Sequence, residues 1–221
     1  MTRFNYCQPL EIPDLVSQTQ KNGKRIYVTP EGDHFPSVTT VVGHHKKHII
    51  QEWRARVGHE AANKISAQAS GRGNGMHNLC ERYLSNETSY NKGVMPDALE
   101  MFKSIRPYLD RINNIHYIEQ SLWSKQLQLA GRVDCIAEYE GVLSVIDFKT
   151  SRRIKTIEQI EDYFWQTTAY ALMYEELIGK PIDDLVIIMA VENEQPIIFK
   201  QKTEKHIQGL VKVIHEYRAE N

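Results

Sequence analysis

Residues 131 to 149 constrain the fold most. Gly131-Arg132-Val133-Asp134-Cys135 and Val145-Ile146-Asp147-Phe148-Lys149 are the outer ends of two apolar-rich runs that meet at Glu140-Gly141. An acidic residue followed by glycine is a usable hairpin turn. With those two residues as the whole loop, Tyr139 faces Val142, Cys135 faces Ile146 and Asp134 faces Asp147. One face of the ribbon then carries Val133, Cys135, Ala137, Tyr139, Val142, Ser144, Ile146 and Phe148 and fits a core. The other carries Arg132, Asp134, Asp147 and Lys149. Opposed side chains in a hairpin stand about 4.5–5.5 Å apart at Cβ. Two carboxylates that close repel, and a divalent cation between them removes the conflict.

Composition limits the alternatives. A chain of 221 residues suits a single unit over 1–221, here an N-terminal strand and helix region (1–112) and a core (113–221). Its three cysteines are scattered and form no CxxC, which excludes an iron–sulfur cluster, a zinc ribbon and a disulfide framework. The formal net charge of −1 argues against attachment to nucleic acid by bulk charge, but leaves room for a local basic groove. No run is long enough to span a membrane. The N-terminus lacks a signal or transit pattern, so a cytoplasmic location is expected.

Along the chain, residues 1 to 23 read as loop-rich. Lys24 to Val28 reads as a strand and His34-Phe35 as its return. Ser37 is a candidate N-cap for the β-branched run that follows, which fits either a strand or a short helix. His44, His45, Lys46, Lys47, His48, Trp53, Arg54, Arg56 and His59 form either a solvated helix face or a basic, partly aromatic surface for phosphates and bases. The three histidines at 44, 45 and 48 have no carboxylate nearby in sequence to orient them. Gly71-Arg72-Gly73-Asn74-Gly75 is expected to break the helical pattern before a helix at about Met76 to Leu84. A helix over 97 to 112 is expected to be interrupted or kinked near Pro107. Tyr117 to Trp123 reads as a strand carrying Glu119. A two-residue loop after it places Glu119 opposite Arg132; a four-residue loop places it opposite Asp134. After the hairpin come a basic loop with Arg152 and Arg153, a long helix over about 156 to 178, two strands and a last amphipathic helix.

Asp134 and Asp147 are hard oxygen donors suited to Mg²⁺ or Mn²⁺, and Glu119 adds a third carboxylate to the patch. Asp147 and Lys149, two apart on a strand, share a face, while Phe148 points into the core and its carbonyl offers a further ligand. Lys149 is placed to hold a metal-bound water and to offset charge on a phosphorane. These are parts for phosphodiester hydrolysis.

The ordered set Gly73-x-x-x-His77, Gly131-x-x-Asp134, Asp147-x-Lys149 and Gln166-x-x-x-Tyr170 resembles the PD-(D/E)XK nuclease superfamily, in its RecB-like branch. Pro36-Ser37-Val38-Thr39 and the pair Trp53-Arg54 are similar to the mitochondrial and phage exonucleases of that branch. The resemblance implies an α/β fold with a central mixed β-sheet flanked by helices, and an N-terminal helical region over the site. It implies one or two Mg²⁺ or Mn²⁺ ions on His77, Asp134, Asp147 and the Phe148 carbonyl. Lys149 is then the catalytic lysine, and Glu119 supports the metal-bound water. Gln166 and Tyr170 line the groove, with Ser37, Thr39, Trp53, Arg54, Arg152 and Arg153 on the strand. The implied activity is a DNA exonuclease preferring single-stranded ends, in a bacterial cell or phage-infected host. The alternatives are an endonuclease of the same fold and a non-catalytic nucleic-acid-binding module.

Overall fold

The computed structural model describes residues 4–7, 10–21 and 23–221. Strands β1 (Val16–Thr19), β2 (Arg25–Val28) and β3 (His34–Pro36) form a small antiparallel sheet. Helices α1 (Val38–His44), α2 (Lys47–Val57), α3 (His59–Leu84) and α4 (Pro96–Leu109) follow. The main sheet runs β4 (Ile112–Ser124), β5 (Leu129–Tyr139), β6 (Val142–Ser151), β7 (Asp184–Val191) and β8 (Ile197–Lys202), in that spatial order. Its β6–β7 pair is parallel and the others antiparallel, so the sheet is mixed as expected. Helix α5 (Glu161–Ile178) makes the crossover that a parallel pair requires, and α6 (Ile207–Ala219) closes the chain. Among the described residues, no helix is long and apolar enough to cross a membrane.

The hairpin forms in the expected register, with Tyr139 opposite Val142 and Cys135 opposite Ile146. Glu140 (φ 53°) and Gly141 (φ 84°) are both left-handed, the conformation that lets a two-residue turn follow the strand twist. The expected division into an apolar and a polar face does not hold. Helices α1, α5 and α6 cover one side of the sheet over Ile136, Val145, Ile187 and Met189. Helices α3 and α4 cover the other over Cys135, Ala137, Ile146, Phe148 and Ile188. A sheet with a parallel pair at its middle is buried on both sides.

Strands β4 and β5 are joined by the four residues 125–128, which aligns Glu119 with Asp134. That rung is irregular. Ile118 pairs with Cys135 and Gln120 with Val133, but Glu119 between them has φ 48°. Val133 packs in the α5-side core and Cys135 in the α3-side core, although residues two apart on a regular strand share a face. Tyr117, Ile118 and Leu122 show the same change of parity on β4. Both strands therefore switch face across the Glu119–Asp134 rung.

Two helix expectations are corrected. The glycines at 71, 73 and 75 do not interrupt α3, which is continuous from His59 to Leu84. Only Gly75 is required by close approach: a Cβ there would stand 2.8 Å from Ala98 Cβ on α4, whereas one on Gly73 would make ordinary contact with Thr150 Oγ1 on β6 at 3.7 Å. Pro107 does not interrupt α4, which runs on to Leu109. It lies in the final turn, where only the last helical hydrogen bonds are at stake. The β-branched run after Ser37 is helical, capped by the Ser37 hydroxyl accepting from Thr40 N–H. The N-terminal region held one strand beyond those expected, β1.

Candidate active site

The β5–β6 ladder ends at Cys135–Ile146, one rung short of Asp134 and Asp147. Beyond it β5 stays with β4, while β6 stays with β7 as far as Ser151 and Val191. The sheet thus forks where the two aspartates stand. At the fork the Phe148 N–H, released from any ladder with β5, donates to Asp134 Oδ2 at 2.8 Å.

Two clusters meet there. His77 from α3, Glu119 from β4 and Asp134 from β5 place their donor atoms within 4.8 Å of one another. His77 Nδ1 lies 3.4 Å from Asp134 Oδ2, and the His77 ring packs edge-on near Phe148. On the α5 side, Lys149 Nζ donates to Asp147 Oδ1 at 2.7 Å and lies 2.6 Å from Oδ2. Gln166 Nε2 donates to the same Oδ1 at 3.0 Å, and its Oε1 accepts from Lys149 at 3.5 Å. The predicted conflict between the aspartates is eased by the protein itself, because each carboxylate has its own cation. The geometry gathers Glu119, rather than Asp147, with His77 and Asp134.

Burial tunes these groups. Glu119 is pushed up to about 7, first by burial and then by the neighbouring Asp134 charge. Asp147 is pushed up to about 6, also by burial, with Lys149 pulling the other way. For Asp134, burial pushes upward, yet the His77 and Lys149 charges and the Phe148 amide hold it below its ordinary value. For His77, burial favours the neutral ring, but Asp134 overrides it and raises the imidazole to about 9. Lys149 is held above its ordinary value by Asp147 and Asp134, against the desolvation of its ammonium. Two carboxylates and an imidazole are an oxygen-rich donor set that fits a divalent ion such as Mg²⁺ or Mn²⁺. Asp147 Oδ2, buried and ion-paired with Lys149 at 2.6 Å, is a further oxygen donor of the fork.

The expected strand-contacting residues divide. Gln166 is at the centre, bonded to both Asp147 and Lys149. Tyr170 is not in a groove: it is 2% exposed. It packs so closely on Gly131 that a Cβ there would lie 2.8 Å from the phenol oxygen. It supports the sheet beneath the fork. Ser37 is buried as the α1 cap, bonded to Thr39 and Thr40, while Thr39 is exposed. Trp53 and Arg54 lie on α2, with Arg54 bonded to Asn63. Arg152 and Arg153 are exposed after β6; Arg152 donates to Gln68 at 3.3 Å and pairs with Glu192 at 3.8 Å. The histidine-rich stretch does have a carboxylate partner, supplied by the far end of the chain: His44 pairs with Glu220 at 2.9 Å. His45 packs edge-on against Trp165.

Sequence reasoning overlooked Tyr163 and Arg72. Tyr163 stands three residues before Gln166, on the same helix face, a spacing that marks it as a neighbour of the site. Its ring centroid is 5.1 Å from Lys149 Nζ. Arg72 pairs with Glu192 at 3.2 Å, a contact between residues too distant in sequence to anticipate.

Among curated proteins, mitochondrial genome maintenance exonuclease 1 of Mus musculus is 25% identical over 189 residues, covering 80% of this chain and 56% of its own length. The Homo sapiens counterpart is 25% identical over 173 residues, covering 73% of this chain and 50% of its own. The chain thus spans about half the length of the curated relatives it matches. A solved structure from Eubacterium rectale, provisionally described as an exonuclease, is 13% identical with a TM-score of 0.44, covering 66% of this chain and 63% of its own. The family model of the PD-(D/E)XK nucleases matches residues 33–219, so this chain belongs to the PD-(D/E)XK nuclease superfamily.

Proposed function

We propose that the chain is a divalent-metal-dependent DNA exonuclease with a preference for single-stranded ends, acting as one nuclease unit. The observation that carries this reading is the fork itself, where His77, Glu119 and Asp134 adjoin the Asp147–Lys149–Gln166 cluster. The curated relatives named as exonucleases support exonuclease action.

His77, Glu119 and Asp134 would hold the ion, with Asp147 and the Phe148 carbonyl beside them. A bound Mg²⁺ or Mn²⁺ supplies a water of lowered pKa and charge stabilisation at the phosphate. The imidazole tilts the set toward Mn²⁺ relative to an all-oxygen site. Glu119, grouped with His77 and Asp134, would support the metal-bound water. Lys149 brings a fixed positive charge to a developing negative oxygen. Gln166 holds Asp147 so that the lysine is aimed by two partners rather than one. Thr39, Trp53, Arg54, Arg152 and Arg153 are the candidate contacts to the strand, and Tyr170 keeps β5 in place under it.

The test is a time course on linear DNA labelled at the 5′ or the 3′ end, single- and double-stranded, with Mg²⁺ or Mn²⁺ and with a chelator. Metal-dependent loss of label from single strands, with covalently closed circular single strands left intact, is the expected result. Cleavage of the circle would establish an endonuclease instead. Binding with no cleavage under either metal would establish a non-catalytic module.

A further inference from the structure

Tyr163 is ringed by three lysines from three parts of the chain. Lys149 Nζ and Lys155 Nζ each lie 5.1 Å from its ring centroid, and Lys46 Nζ lies 5.7 Å away. Ammonium groups so placed are attracted by the ring quadrupole but repel one another. Two have an anion at hand: Lys149 has Asp147, and Lys46 donates to Asp162 at 2.6 Å. Lys155 donates at 2.9 Å to the Tyr163 hydroxyl rather than to a carboxylate. Three ammonium groups and two carboxylates leave one positive charge over. Lys155 and Tyr163 are both partly exposed, so the surplus charge faces solvent next to Lys149.

A cation held on a phenol, beside a buried lysine at the fork, presents two hydrogen-bond donors to an anion. The Tyr163 hydroxyl can turn its proton outward when Lys155 reaches the same anion. The chemistry that fits is a phosphodiester oxygen, which accepts charge-assisted bonds from an ammonium and a neutral bond from a hydroxyl. We propose that Lys155 and the Tyr163 hydroxyl form a subsite for a backbone phosphate next to the one at Lys149, with the Tyr163 ring in reach of both ammonium groups. Lys46, tied to Asp162 and to the Gln159 carbonyl at 3.3 Å, is the third cation on the ring. The proposal rests on the nuclease reading insofar as the ligand is a nucleic-acid strand.

The experiment is fluorescence anisotropy of a labelled single-stranded DNA oligonucleotide, with Ca²⁺ as the added metal, across a salt series. Wild type, Lys155→Gln, Lys155→Arg and Tyr163→Phe are compared. Loss of one phosphate contact should reduce the salt slope by about 0.7 for single strands. Lys155→Gln is expected to show that reduction with a several-fold weaker Kd, and Lys155→Arg to restore both. Tyr163→Phe is expected to weaken binding less than Lys155→Gln, since the ring remains. In turnover with Mg²⁺, Lys155→Gln should raise KM more than it lowers kcat. A Lys155→Gln protein with the wild-type Kd and slope overturns the subsite. Wild type that binds DNA but does not cleave it overturns the nuclease reading while the subsite result still stands. Wild type that does not bind DNA overturns both.

Discussion

The Phe148 amide donates to Asp134 Oδ2 at 2.8 Å, so a side-chain carboxylate takes the place of a strand where β5 and β6 part. Asp134 also sits 3.4 Å from His77 Nδ1. Asp134→Ala removes the acceptor from a buried N–H and the counter-charge from His77. It should cost about 1–3 kcal/mol for the amide alone. Asp134→Asn keeps an acceptor for Phe148 and should fold nearly as well, yet bind Mn²⁺ weakly. Urea unfolding of both variants, with Mn²⁺ titrated by calorimetry, separates the structural job from ligation. Equal stability of the Ala and Asn variants would contradict the bond.

Gly75 and Gly71 make opposite predictions from the same helix. Alanine at 71 meets nothing within 4 Å and should stabilise α3 by about 0.8–1.0 kcal/mol through helix propensity alone. Alanine at 75 would bring its Cβ to 2.8 Å from Ala98 Cβ. That overpacking should cost about 1–3 kcal/mol and outweigh the propensity gain. Thermal melts should show Tm rising for Gly71→Ala and falling for Gly75→Ala, by roughly 2–4 °C per kcal/mol in a chain of this size.

Gly131 and Tyr170 are coupled by contact. Gly131→Ala places a Cβ 2.8 Å from the Tyr170 oxygen, so it should destabilise. Tyr170→Phe removes that oxygen and should relieve part of the cost. A double-mutant cycle read by denaturant unfolding is expected to give a coupling of about 0.5–3 kcal/mol. Strict additivity would mean that Tyr170 does not support β5.

The metal-free protein should lose stability as pH rises, for two reasons. Glu119 (about 7) and Asp147 (about 6) are raised above their unfolded values, so the folded state holds protons that the unfolded state has released. That difference lowers stability from about pH 4 to about pH 7. His77 is also raised, to about 9; its contribution is full below its unfolded value and is lost as pH rises from about 6.5 to about 9. Asp134, held low, acts oppositely and adds stability above its unfolded value. A bound cation competes with the protons on Glu119 and His77, so stabilisation by saturating Mn²⁺ should grow with pH. Scanning Tm from pH 5 to 9 with and without Mn²⁺ tests this, and Glu119→Gln should flatten the lower part of the metal-free curve.

Much of the β-architecture was legible because it is local. The turn at Glu140-Gly141 set the hairpin register, and strand alternation put Phe148 and Lys149 on opposite sides of the sheet. Two things were not legible. Glycines at 71 to 75 read as a break because their helix cost is local, whereas the close approach of Ala98 that requires Gly75 is not. Strict alternation also hid the face switch at Glu119 and Asp134, which depends on a left-handed residue at 119. Residue spacing aligned Glu119 with Asp134 for a four-residue loop, but could not show that it joins His77. Tyr170 was expected in the groove because the resemblance implied it; only the packing on Gly131 shows how deep it lies.

In the proposed function, Asp147 and Lys149 act on a phosphodiester at this fork. The direct measurement is single-turnover degradation of end-labelled linear single-stranded DNA with Mg²⁺ or Mn²⁺ by wild type, Asp147→Asn and Lys149→Gln, each verified as folded by circular dichroism. Removing a preorganised charge at such a site costs roughly 10²–10³-fold in rate, and a loss of at least that size is expected for both variants. Full activity in either folded variant would contradict the account.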